Sequence, residues 1–175
     1  MSESDEFDQV RFFEDEGGLT ARIPLDDAPE LASRIGLLIA YFACVELTIR
    51  DLIAKSMGIS QETAQTIVGP VQSLSTELDI LEGTTALLGN QRKDVLREIV
   101  SEIRWANSER NRYAHSQFAS RKSDEQIHRI EYFTDAKRTT KRTPIDNAAL
   151  DAAIERMRRL ICRIWLFVTG QEDRR

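Results

Sequence analysis

The sequence predicts an all-α fold: a helical bundle of four main helices plus one short helix, with a small β-hairpin before the first helix and another before the last. Three observations predict it. Apolar residues recur at steps of three and four over several long stretches, which places them on one helical face. Glycine and proline are scarce, eight and four in 175 residues, too few for a turn-rich β fold. A chain of this length buries one proper core, and no internal repeat or low-complexity tract divides it. The expected organisation is an acidic N-terminal segment over 1–26, a helical domain over 27–169 and a tail over 170–175.

Residues 1–9 are acidic and unpatterned, the composition of a disordered start. In VRFFEDEGGLTARIP two short β-prone runs flank EDEGG, which suggests the first hairpin. From Asp27 the pattern turns helical. Leu31, Ile35, Leu38, Phe42, Val45, Ile49 and Leu52 form one stripe, with Asp27 as cap, Pro29 in the first turn and Gly58 as the stop. SQETAQTIV predicts a short helix capped by Ser60. VQSLSTELDILEGTTALLG gives a third, with Leu74, Leu78, Leu81 and Leu88 near one face and Gly89 at its end. NQRKDVLREIVSEIRWANSERNRYAH gives a fourth, buried through Leu96, Ile99, Val100, Ile103 and Ala106. Arg110 lies seven residues beyond Ile103, so the period aims its guanidinium at the end of the core. After Ser116 the pattern lapses for about thirty residues. There QIHRIEYF has β character and DAKRTTKRTP reads as a basic loop. The last helix starts near PIDNAALD, with Leu150, Ile154, Met157, Ile161, Ile164 and Val168 as its stripe and Gly170 as its end.

Composition narrows the functional classes. The start lacks the basic and apolar regions of a signal peptide, and Glu46 breaks the longest apolar run, so a cytoplasmic protein without a membrane span is expected. Cys44 and Cys162 lie in apolar helical stretches, which suggests buried, reduced thiols. The net charge of −5 is uneven. Residues 1–32 hold ten acids and two bases, whereas residues 104–142 hold ten bases and five acids. The basic segment could attract a polyanion, or the two regions could simply solvate the protein or attract each other. GTTALLG is not a phosphate-binding loop, no Ser-nucleophile elbow occurs, and no His/Cys set has metal-ligand spacing. Neither a metal nor a cofactor is expected.

The stretch that asks for chemistry is ERNRYAHS, residues 109–116. It places Arg110 and Asn111 at the end of a long amphipathic helix and His115 where that helix should stop. Asn111 and His115 are four apart and can meet on one face. The bare string Arg-x(4–6)-His is common. Arg121 and His128 match it again, with no helix beneath them to fix their geometry. Context, not the string, selects Arg110 and His115.

With that context, RNRYAHS resembles the Arg-x(4–6)-His motif of the HEPN superfamily (higher eukaryotes and prokaryotes nucleotide-binding domains), whose signature sets a polar residue, often Asn, directly after the Arg. The first helix, YFACVELTIRDLI, is also similar to bacterial members, and the resemblance covers roughly residues 27–169. It implies a helical homodimer. In many members the paired motifs form a metal-independent endoribonuclease; others only bind or scaffold. Members recur as toxins and in anti-phage defence, often beside a neutralising antitoxin.

The residue types suit such chemistry. RNA cleavage by its own 2′-hydroxyl needs a base, a cation for the crowded phosphorane and an acid for the leaving 5′-oxygen. Histidine as a type handles protons near neutral pH, and arginine stays charged and donates bidentately to phosphate. One motif offers a single proton handler, so a two-fold dimer is required to bring two together. The expected site is catalytic Arg110, His115 and Asn111, with Glu46, Tyr113 and Arg112 as supporting or substrate-binding residues. Each has a plainer reading. Arg110 could end a salt bridge with an acid such as Glu46, or do both jobs. His115 could serve the helix dipole, and Asn111 a helix-end hydrogen bond. Arg104 and Arg112 read as solvated, Tyr113 and Trp105 as packing, and His128 as a surface residue of a β region. Lys137, Arg138, Lys141 and Arg142 could guide RNA or be a solvated loop. The alternative function is a non-catalytic dimeric binding or regulatory module of the same fold.

Overall fold

The computed structural model describes residues 20–22, 25–71, 73–121, 126–132 and 140–171. Among them are five α-helices and four short strands, so the protein is mostly helical. Two compact units make up the chain. One combines Met1–Gly36 with Asn111–Leu150, the sheet unit; the other combines Leu37–Arg110 with Asp151–Arg175, the bundle unit.

The bundle unit is built from helices whose periods set what they bury. Helix α1 spans Pro29–Met57, and its stripe from Leu38 through Phe42, Val45 and Ile49 to Leu52 is fully buried. Gly58 stops it at φ +66°, a conformation open to glycine without a Cβ penalty. Asp27 does not cap this helix: it closes a 3-10 turn, Leu25–Asp27, and Ala28 intervenes. Helix α2, Gln61–Val68, is capped as expected, with the Ser60 hydroxyl accepting from the Thr63 amide at 3.1 Å. Helix α3, Leu74–Thr84, buries Leu78 and Leu81 and tightens into a 3-10 turn at Thr85–Leu87. Leu74 and Leu88 are only partly covered.

Helix α4, Asn90–Ala114, buries Leu96, Ile99, Val100, Ile103 and Ala106, the five expected positions. Helix α5, Asn147–Thr169, departs from its expected stripe. Leu150, Ala153, Met157, Leu160, Ile164 and Phe167 are buried, whereas Ile154, Ile161 and Val168 are half-covered. The true helical period carries the buried face to Phe167, a larger group than Val168. Burying each large aliphatic side chain contributes about 1.5–3 kcal/mol, so these stripes hold the bundle. Cys44 and Cys162 are free, yet both are exposed rather than buried.

The sheet unit contains the second expected hairpin and one arm of the first. Strands β1 (Thr20–Arg22), β2 (Gln117–Arg121), β3 (Ile127–Tyr132) and β4 (Thr140–Pro144) form one antiparallel sheet in that order. Residues 10–19 of the first expected hairpin lie outside the described residues; its described arm, Thr20–Arg22, pairs with β2 about a hundred positions later. The second hairpin is present as β3–β4, with part of the expected basic loop serving as strand β4. Lys137 and Arg138 lie outside the described residues. Register sets two rows. Phe118, Arg129 and Thr143 face one way, and Ala119, His128 and Pro144 the other. Phe118, Ala119, Arg129 and Ile130 are buried.

Candidate functional site

Arg110 sits where the heptad step from Ile103 aims it. Its guanidinium lies over the Phe42 ring, 5.0 Å from the centroid. It also approaches the Glu46 carboxylate at 3.6 Å. Phe42 and Glu46 are four apart on α1 and so share a face. A ring beneath and a carboxylate beside hold the planar cation in a defined orientation. The Arg110 side chain is 28% exposed and that of Glu46 40%, so the pair is screened and contributes little stability while leaving the cation reachable. The Arg110–Glu46 pair of the plainer reading is therefore present, and Phe42, a member of the α1 core stripe, is its third partner.

Helical bonding runs on past the motif. The His115 amide donates to the Asn111 carbonyl at 3.3 Å, and the Ser116 amide to the Tyr113 carbonyl at 3.4 Å. The Ser116 hydroxyl closes onto the Arg112 carbonyl. His115 is exposed directly after the last residue of α4, and Asn111 is half-buried one turn earlier. Arg112 is exposed.

The remaining singled-out residues fall into packing roles. Tyr113 lies under the Arg129 guanidinium, whose carbon is 5.6 Å from the ring centroid. Arg129 also donates to the Arg112 carbonyl at 3.4 Å. In the sequence Arg129 is one of the ten bases of residues 104–142. Its signal was alternation in IHRIEY, but nothing local shows that Phe118 would face it across the sheet. Trp105 carries the Arg156 guanidinium at 3.8 Å, and Arg156 grips Glu102 through two bonds of 2.8 and 2.6 Å. Those hydrogen bonds from Arg156 hold the Glu102 carboxyl below the usual carboxylate range. Arg104 pairs with Asp79 and Glu82 at 2.8 and 2.9 Å. His128 is half-buried rather than fully on the surface: both ring nitrogens are shielded from solvent and, among the described residues, lack a hydrogen-bond partner.

A second feature has no local signature in the sequence. In the bundle unit a cleft of about 440 Å³ is lined by Ala43, Glu46, Leu47, Arg50, Val71, Leu74 and Glu77. Glu46 thus lines a cleft and flanks Arg110 at once.

Among the described residues no group of three or more His, Cys, Asp or Glu side chains is placed to hold a metal ion. Among the same residues no helix is long and apolar enough to cross a membrane. Neither a protein-family model, nor a curated protein, nor a solved structure matches the chain.

Proposed function

We propose that the protein is a HEPN-type endoribonuclease that cleaves single-stranded RNA as a homodimer, by attack of the 2′-hydroxyl on the adjacent phosphate. Arg110 binds and neutralises the phosphate, His115 moves the proton, and Asn111 orients His115 or the phosphate. Glu46 and Phe42 position the guanidinium. The products are a 2′,3′-cyclic phosphate and a 5′-hydroxyl end. Arginine and histidine cover the charge and proton roles between them, so the reaction needs no metal. The second copy supplies the second imidazole, one as base and one as acid. The biological setting is that of a toxin or anti-phage effector restrained by a neutralising partner.

The observation that carries this reading is Arg110 itself. A half-exposed cation, held by a ring and a carboxylate, stands five residues before an exposed histidine at the end of the same helix. A guanidinium fixed in advance stabilises developing charge without reorganising. The same ion pair favours a second reading, a dimeric binding or regulatory module, in which Glu46 consumes the charge of Arg110 structurally.

Incubating the purified chain with single-stranded RNA in EDTA separates the two. The nuclease reading expects cyclic-phosphate ends and no cutting of DNA, which lacks the 2′-hydroxyl. Arg110→Ala and His115→Ala should each lose on the order of 10²–10⁴ in rate while the far-ultraviolet circular dichroism is unchanged. Intact RNA at every pH, or full activity in both variants, rejects it.

A further inference from the structure

The cleft beside Glu46 carries an inference that rests on the nuclease reading and deepens it. Its walls are of two kinds. Ala43, Leu47, Val71 and Leu74 are apolar, and Leu47 is 75% exposed. Glu46, Arg50 and Glu77 supply charge. The Glu77 side chain is only 12% exposed, and its ion pair with Arg50 is loose at 4.0 Å. Glu46 meets Arg110 at 3.6 Å. Among the described residues neither carboxylate accepts a hydrogen bond. A carboxylate on a mostly covered side chain in a cleft wall gains from hydrogen-bond donors that a ligand brings. The volume is within the range of small-molecule sites.

We propose that this cleft holds a guanine base of the RNA, next to the phosphate bound by Arg110. The ligand must be flat to lie against Leu47, Val71 and Leu74, and it must bring donors to Glu77 and acceptors to Arg50. Guanine offers both along neighbouring positions. N1–H and the N2 amino group donate together, matching the two oxygens of one carboxylate. O6 lies next to N1–H and, with N7, is the usual target of an arginine fork. A carboxylate and a guanidinium set side by side, as Glu77 and Arg50 are, read that donor–acceptor order. Adenine and cytosine bring one amino group each, and uracil a single N–H between two acceptors, so each leaves part of the pair unmatched. Glu46, shared between cleft and Arg110, links base recognition to the phosphate. Cleavage should then favour a linkage beside guanosine.

The test is direct binding, read without cleavage. The full chain is titrated with guanosine 5′-monophosphate and its adenosine, cytidine and uridine counterparts, following methyl and amide NMR signals. The expected result is shifts centred on Leu47, Val71 and Leu74, with guanosine bound on the order of tenfold or more tighter than the others. Glu77→Gln should weaken guanosine binding by about ten- to a hundredfold. Arg50→Ala, at a side chain 43% exposed and safe for the fold, should weaken it about tenfold. Equal binding of the four nucleotides, shifts elsewhere, or no shift overturns the assignment. So does methylguanidinium binding there more tightly than guanosine, which would mark a seat for a basic protein side chain. The two proposals fail separately: RNA cut without guanosine preference removes the base pocket alone, and guanosine bound by a chain that cuts no RNA removes the nuclease alone.

Discussion

The two units solve burial differently. In the bundle unit the buried hydroxyls of Ser56 and Thr84 are partnered. The buried Ser56 hydroxyl donates to the Leu52 carbonyl at 2.7 Å, and buried Thr84 donates to Ser56 at 2.8 Å. In the sheet unit Arg129 is buried in mid-strand, and His128 and Thr143 hold shielded polar atoms with no partner. Among the described residues every such unsatisfied side-chain atom lies in this unit. Helices satisfy their own backbone and let side chains sort by period, so the bundle can be dry inside. A small sheet has too few apolar positions to do the same, and it carries polar residues inward at a cost. The motif helix runs through the boundary, with Arg110 last in one unit and Asn111 first in the other.

One residue type tests the contrast most strongly. Ile103 is fully buried in the bundle unit, and Ile130 is 6% exposed in the sheet. Ile103→Ala should cost about 4 kcal/mol, near the top of the range for emptied, close-packed sites, and Ile130→Ala about 2 kcal/mol. Urea unfolding followed by fluorescence of Trp105 and Trp165, both in the bundle unit, reads the first; hydrogen exchange of the β2 and β3 amides reads the second. Equal penalties would erase the distinction between a close-packed and a compromised core.

The next effect is smaller and of opposite sign. If the nitrogens of His128 are buried without partners, an apolar side chain should suit the site better. His128→Leu should stabilise the protein by about 1 kcal/mol, a rise of about 2–4 °C in Tm. A fall in Tm would mean that the ring is satisfied in solution.

The same contrast explains what the sequence could say. Every buried position expected on α4 is buried, and Arg110 is where its heptad step aims it, because a helix writes its contacts into a local period. Glu46 was likewise legible as an acid interrupting an apolar face that needs a cation. The stripe of α5 drifted because two residues at adjacent positions, Phe167 and Val168, both fit a step of three or four, and volume decided between them. Strand partners were not legible. Thr20–Arg22 pairs with β2 about a hundred positions later, and no local signal encodes so distant a register. Arg129 was missed for that reason. The Arg50–Glu77 cleft was missed because its two walls come from α1 and from residues 71–77, which no single helical period relates.

The smallest effect probes the surface of the bundle unit, where polar groups are partnered by choice of geometry. Arg156 forks onto Glu102 and stacks on Trp105. The hydrogen bonds from Arg156 lower the Glu102 pKa, so the folded state prefers the ionised carboxylate more than the unfolded chain does. The sign follows from linkage. The stabilisation is complete above the ordinary carboxylate range and is lost as the pH falls through the lowered folded value. Acidifying from about pH 6 to below the usual Glu pKa of about 4.3 should therefore reduce wild-type stability more than that of Glu102→Gln. The side chains are partly exposed, so the difference should stay within about 1 kcal/mol. Parallel Tm–pH curves for the two proteins would show that the fork contributes nothing, and would leave Trp105 stacking and the charge of Glu109 to hold Arg156 in place.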